Sequence, residues 1–303
     1  MIVLTPPAGG RLVEAEALEI HTGGAESNVA VYLAQLGHRV AWVSRVGTDP
    51  FGERLLAAVG SAGVDVSGVR RKERRPTGVY FKDHDGRSTV AYYYRRGSAA
   101  STMTAGDVLP LLARTRYVHI SGITAALGAS CRDAVERIIT RAGEVGATVS
   151  FDVNYRPALW DPVEAGPVLR DLARRADVVF VGRDEAAELW GAENAREVRA
   201  LVPEAPRVVV KDGAAGATAY APDGSTFVPA PKVQVVETVG AGDAFAAGYL
   251  SAALRGADET ARLRWGHLLA SVALRSVADH VVVPPWTALA EAADAPPSEG
   301  WPG

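Results

Sequence analysis

A chain of 303 residues, 48% of them hydrophobic, can bury a large core, as one α/β domain or as one domain with a small appendage. Its 32 basic and 35 acidic residues leave a formal charge of -3, which provides no basic field for nucleic acid or an anionic membrane and suits a small neutral or anionic ligand. A lone cysteine, Cys131, excludes an internal disulfide, and no apolar stretch approaches the roughly 18 residues of a membrane span, so a soluble cytoplasmic protein with Cys131 as structural filler is expected.

Arg11 to His21 and Thr77 to Arg95 alternate in twos and carry too much charge for central strands. They read as antiparallel, half-exposed strands of a small β-lid, at about 11–22 and 77–97, over one edge of the main domain. Asp85-Gly86 between Val79-Tyr80-Phe81 and Val90-Ala91-Tyr92-Tyr93-Tyr94 is a hairpin signal. Between the lid segments, Gly23-Gly24-Ala25-Glu26-Ser27-Asn28 opens a helix with Val29, Leu33 and Leu36 on its apolar face and Gly37 at its end. The runs Tyr117 to Ser121, Thr148 to Val153, Val178 to Val181 and Val208 to Lys211 are rich in β-branched residues and are separated by longer segments of helical spacing. That alternation predicts a mostly parallel sheet in a three-layer α/β/α sandwich. Residues 1–292 read as one domain, and the tail 293–303, rich in Pro and Gly, as frayed.

Chemistry concentrates in Glu237-Thr238-Val239-Gly240-Ala241-Gly242-Asp243-Ala244-Phe245, a glycine turn opening a helix, followed by Ala246 to Leu254 of helical composition. Such a turn aims backbone N–H groups and the positive end of a helix dipole at one spot, which suits the charge on a transferring phosphoryl group. Asp243 would sit beside it, placed to take a proton from a hydroxyl; the plainer reading is an N-cap Asp after a loop. The Gly23 to Asn28 turn lets a ligand approach the backbone, and Asn28 can read a sugar hydroxyl, although Ser27 or Asn28 could be a simple N-cap. Lys211-Asp212-Gly213-Ala214-Ala215-Gly216 follows a strand and is otherwise a plain hairpin.

The two glycine windows together, with Gly37 and Gly47 at the later positions, resemble the paired motifs of the ribokinase-like (PfkB) carbohydrate kinases, and the likeness covers nearly the whole chain. Thr77 to Tyr80, Tyr92 to Ala99 and Phe151 to Trp160 resemble the 2-keto-3-deoxygluconate kinase branch. The resemblance implies MgATP-dependent phosphorylation of the 6-hydroxyl of a sugar acid, with Asp243 as base and Gly240, Ala241, Gly242 and Arg156 in the catalytic set. It puts substrate on Gly24, Ala25, Glu26, Asn28, Tyr80, Tyr93, Arg95, Arg156, Asp243 and Asp279, and nucleotide on Asn154, Lys211, Gly213, Gly216, Gly240, Gly242 and His267. Arg95 and Arg156 are the cations able to fork onto a carboxylate. The tyrosines could instead pack in a lid-mediated homo-oligomer, and Arg156 could be a surface ion pair.

Departures from the family pattern are also present. Relatives carry a further strand before the position of Met1, which leaves either a late start or a short sheet. Glu237 stands where many have an Asp near a monovalent cation, so potassium activation is not expected. Gly182 replaces an Asn linked to magnesium, while Glu185 keeps the acidic position and could act on the metal through water. His267 replaces an Asn near the nucleotide. Other readings are a fructokinase, a ribokinase, a 5-dehydro-2-deoxygluconokinase, or a non-catalytic sugar-binding protein on the same fold.

Overall fold

The computed structural model describes residues 1–7, 10–84, 89–276 and 281–294. Its first half comprises β1 (Ile2–Thr5), β2 (Glu19–Thr22), α1 (Ala25–Gln35), β3 (Arg45–Gly47), α2 (Pro50–Ser61), β4 (Arg70–Lys72), β5 (Val79–His84), β6 (Thr89–Tyr94) and α3 (Ala105–Leu112). There follow β7 (Tyr117–Ser121), α4 (Gly122–Ala126), α5 (Ala129–Val145), β8 (Thr148–Asp152), α6 (Pro162–Arg174), β9 (Val178–Gly182), α7 (Arg183–Trp190) and α8 (Ala195–Leu201). The last elements are β10 (Arg207–Asp212), β11 (Gly216–Ala221), β12 (Gly224–Pro229), α9 (Ala241–Leu254), α10 (Glu259–Ala273) and α11 (Trp286–Asp294).

The core sheet has the order β12-β11-β10-β9-β8-β7. It is parallel from β7 to β10 and antiparallel through β11 and β12. Successive side chains of its strands enter opposite layers. Val178, Phe180 and Val209 pack with Val29 and Leu33 of α1, Phe245 and Leu250 of α9 and Leu269 of α10. Val179, Val181, Val208 and Val210 pack with Val135 and Ile139 of α5 and Leu169 and Leu172 of α6. Each such side chain contributes about 1.5–3 kcal/mol on burial, so unbroken runs of β-branched residues form the middle of the three expected layers. No helix among the described residues is long and apolar enough to cross a membrane.

The lid is a four-stranded sheet of order β2-β1-β5-β6. β5 and β6 pair antiparallel, with Tyr80 opposite Tyr93 and Lys82 opposite Ala91; the Asp85-Gly86 turn expected between them lies outside the described residues. The expected strand over 11–22 is shorter than its alternation implied, because Leu12–Glu14 forms a 3-10 turn and only Glu19–Thr22 is extended. The Asp83 carboxylate accepts the Leu12 amide at 2.8 Å and pins that turn beside β5. β1 supplies an additional lid strand, antiparallel to β2 and parallel to β5. At the other end α11 runs to Asp294, past the expected domain limit at 292; residues 295–303 lie outside the described set.

On its outer side β7 meets no strand among the described residues. A cavity of about 1030 Å³ lies there, walled by Tyr117 to Ile120 and Val40 to Val46, and lined on its two faces by Val29, Ala30 and Leu33 of α1 and by Val108, Leu111 and Leu112 of α3. The Arg116 carbonyl accepts the Thr148 amide at 2.9 Å, so Arg116, Val118 and Ile120 direct their backbone groups to β8, while Tyr117, His119 and Ser121 direct theirs outward. Glu26 Oε1 accepts the Ser121 amide at 3.2 Å, and the amides of Tyr117 and His119 open on the cavity. Amide hydrogen exchange should therefore be at least about tenfold faster at Tyr117 and His119 than at Val118 and Ile120. Equal protection would mean that the outer edge is paired.

Candidate active site

The carboxyl ends of β8, β9 and β10, the first turn of α1 and the first turn of α9 converge beneath the lid, the usual ligand position of an open α/β sheet. Gly240 caps α9 with φ of 87°, a left-handed conformation that glycine adopts without a steric penalty. The Ala241 amide is spent on the Thr238 carbonyl at 3.3 Å, and the first helical bond runs from Ala244 to Gly240. Of the backbone N–H groups at this turn, those of Gly242 and Asp243 are therefore left for an anion. A Cβ on Gly242 would lie 3.4 Å from the Lys211 ammonium, so the missing side chain keeps the approach to that cation open.

Asp243 is held from two sides. Asn28 donates to Oδ2 at 2.8 Å and Asn154 to Oδ1 at 3.5 Å. Asn154 follows β8 with φ of 41°, a left-handed conformation that asparagine tolerates better than most residues and that occurs often at working sites. The side-chain oxygens of Asn28 and Asn154 are buried without a hydrogen-bond partner among the described residues, two acceptors beside one carboxylate. Burial pushes the Asp243 pKa up to about 7, with a further push from the Asp152 charge, against the Asn28 hydrogen bond and the Arg156 and Lys211 cations.

Lys211 and Asp152 form the polar floor, with Nζ 3.0 Å from Oδ2. Burial works against the Lys211 ammonium, but the carboxylates of Asp152, Glu185 and Asp243 outweigh it and hold its pKa above the usual value. Glu185 Oε2 accepts the Gly182 amide at 3.0 Å, and burial raises the pKa of its carboxyl. Arg156 lies 3.5 Å from Glu185 Oε1 and donates to the Tyr155 carbonyl at 2.8 Å. Burial opposes its charge, while Glu185, Tyr93, Asp243 and Asp152 favour it, which keeps its pKa above the usual value.

The lid presents alternate residues inward. Tyr80 is buried and its ring stacks at 5.3 Å on Tyr93. Arg95 follows on the inward face; burial lowers its pKa, with Glu26 and Tyr93 as the main opposing influences, and its Nε has no hydrogen-bond partner among the described residues. Val90, Tyr92 and Tyr94 face outward and are exposed. Gly24 and Ala25 open α1 beside Met1 and Ser27. Glu26 is committed elsewhere, its Oε1 accepting the Ser121 hydroxyl at 2.7 Å and the Thr124 hydroxyl at 2.6 Å, which ties α1 to β7 and α4. Gly213 and Gly216 form the turn between β10 and β11.

His267 is not gathered into this group. It is buried, with Nε2 donating to the Val228 carbonyl at 3.0 Å and its ring edge against Phe245, and burial lowers its pKa to about 4, leaving a neutral imidazole. Asp279 lies outside the described residues. Two neighbours of the site were not singled out from sequence. Asp152, the last residue of an apolar strand, is marked by being a charge where the chain is buried. Lys82, on the inward face two residues after Tyr80, is marked by the period of its strand.

Residues 1–284 match the pfkB family carbohydrate kinase profile. The 2-dehydro-3-deoxygluconokinase of Bacillus subtilis (strain 168) is 35% identical over 278 residues, covering 89% of this chain and 86% of that protein. Among solved structures, a PfkB protein from Polaromonas sp. JS666 superposes with a TM-score of 0.86 at 36% identity, covering 95% of this chain and 96% of that one. The 2-dehydro-3-deoxygluconokinase of Thermotoga maritima superposes with a TM-score of 0.87 at 25% identity, covering 97% and 96%.

Proposed function

As the chain belongs to the pfkB family of carbohydrate kinases, and is thus an ATP-dependent sugar kinase, we propose that its substrate is the sugar acid 2-dehydro-3-deoxygluconate (2-keto-3-deoxygluconate) and that it phosphorylates the 6-hydroxyl. The observation that carries this reading is Asp243, raised to about 7 and held between Asn28 and Asn154 beside the unspent amides of α9. In the reaction the 6-oxygen attacks the γ-phosphorus, Asp243 takes the hydroxyl proton, and the bond to the β–γ bridging oxygen breaks to release ADP. The Gly242 and Asp243 amides hold the γ-phosphoryl oxygens, and Lys211 lies below them to offset the growing charge. The unpaired oxygens of Asn28 and Asn154 are suited to accept substrate hydroxyls. Arg95 and Arg156 fork onto the substrate carboxylate under Tyr80 and Tyr93.

No group of three or more His, Cys, Asp or Glu side chains among the described residues is placed to hold a metal ion. Glu185 would be the acidic residue to orient water on a magnesium ion brought in with the nucleotide phosphates. Magnesium bound in this way supplies positive charge to the β- and γ-phosphoryl oxygens. Gly213 and Gly216 border the nucleotide in this reading, and the outward lid face of Val90, Tyr92 and Tyr94 is where two copies of the chain would pair.

The test is ATP-dependent ADP release against 2-dehydro-3-deoxygluconate, 2-dehydro-3-deoxygalactonate, 5-dehydro-2-deoxygluconate, fructose and ribose. The sugar acid named first is expected to give the highest kcat/KM, by at least about tenfold over fructose. Preference for fructose or ribose would replace the substrate assignment, and sugar binding without ADP release would remove catalysis.

A further inference from the structure

The lid brings a buried ammonium to the anion-binding turn. Lys82 of β5 is 3% exposed and Glu237 is 7% exposed, with Nζ 3.7 Å from Oε2. The second oxygen of the same carboxylate, Oε1, accepts the amides of Thr238 at 2.8 Å and Val239 at 3.2 Å. Glu237 also donates its own amide to the Leu274 carbonyl at 3.2 Å, fastening the turn to the end of α10. One carboxylate thus folds the turn that leads into Gly240 and faces a cation from the lid. Taking such a pair out of water is costly, and the interaction is of most use where it fixes a geometry.

We infer that Lys82 is a positioning residue whose ammonium is the built-in monovalent cation of this turn, so that seating the lid also sets the amides of Gly242 and Asp243 toward the phosphoryl group. The inference rests on the reading of that turn as the phosphoryl site. Lys82 and Tyr80 project from one face of one strand, so the residue that roofs the sugar pocket and the residue that braces the turn move as one unit. A consequence is that turnover does not depend on a dissolved monovalent cation.

The experiment uses the full chain and Lys82→Met, which keeps the stem and removes the charge, with kcat and KM measured in sodium, potassium, methylammonium and tetramethylammonium salts. The unaltered protein should run equally fast in sodium and potassium. The variant should lose kcat on the order of 10²-fold, the scale of a misplaced catalytic group, with KM for the sugar changed by less than about fivefold. Potassium or methylammonium should restore at least about tenfold of the loss, tetramethylammonium should not fit, and Lys82→Arg should keep most of the rate. Unchanged kcat in Lys82→Met, or a loss that neither a small cation nor Lys82→Arg repairs, would overturn the inference. Should Lys82→Met not fold, Glu237→Gln gives the second reading: its kcat should fall comparably, and an unchanged kcat counts against the proposal. If the unaltered protein phosphorylates no sugar, the reading of the site fails separately. Amide exchange then decides on Lys82, since Thr238 and Val239 should exchange at least about tenfold faster in Lys82→Met, and unchanged exchange would refute its bracing role.

Discussion

Asp243→Asn should lower kcat by about 10²- to 10⁴-fold, the usual cost of removing a general base, with KM for sugar and ATP changed little. Asparagine has the same shape and can keep contacts with Asn28 and Asn154 but cannot take the hydroxyl proton. The pH profile provides a second readout. The Asp243 pKa lies near 7 and the ionised form is the base, so kcat/KM of the unaltered protein should rise about tenfold per pH unit below 7 and level above it. The variant should lose that limb. Stability should change in the opposite sense. Because the folded pKa is raised, the unfolded chain gives up its proton first as pH rises from the ordinary carboxylate range, and this group reduces stability progressively until about pH 7. Asparagine removes that cost. With a discount for the solvent that reaches the carboxylate, the variant should be more stable by on the order of 2 kcal/mol at pH 8 and nearly equal at pH 4, by denaturant unfolding.

Arg95→Ala should separate sugar acids from neutral sugars. Its guanidinium is buried deeply enough to lower its pKa and its Nε has no hydrogen-bond partner among the described residues, which leaves donor capacity for a carboxylate. A charge-assisted hydrogen bond contributes about 1.5–3 kcal/mol, so kcat/KM for the sugar acid should fall by about 10²-fold while turnover of fructose, however slow, changes by less than about fivefold. Lysine at this position should restore little, because it lacks the fork. Arg156→Ala should affect the same selectivity and kcat together, since its guanidinium also faces Glu185 and Asp243. Equal losses on acid and neutral sugars in both variants would argue against carboxylate recognition.

The parts of this fold that were legible in the sequence are those in which local pattern and tertiary environment agree. Val178 to Val181 and Val208 to Lys211 are apolar on both faces because both faces are buried, and the run of glycines before Asp243 has the form of a turn into a helix. Over Arg11 to His21 the alternation holds only from Glu19, because the Leu12 amide and the Arg11 guanidinium both reach the Asp83 carboxylate and a turn forms at Leu12–Glu14 instead of a strand. It also gave no place to Ile2–Thr5, whose partners β2 and β5 are separated from each other in the chain. At the site, spacing pointed to Asn28 and Asp243 but not to the bond between them. The Lys82–Glu237 and Lys211–Asp152 pairs join distant segments, and such contacts leave no local trace. Glu26 and His267 carry polar groups that suit a ligand, and only their tertiary partners show them bonded to protein.

The most direct test of the account is a crystal structure with 2-dehydro-3-deoxygluconate and a non-hydrolysable ATP analogue. It should place the 6-oxygen within about 2.6–3.2 Å of the Asp243 carboxylate, with the substrate carboxylate on Arg95 and Arg156 and the γ-phosphoryl group on the Gly242 and Asp243 amides. A sugar bound in the reverse orientation, with its carboxylate toward Asp243 or its 6-oxygen away from the γ-phosphoryl group, would contradict it.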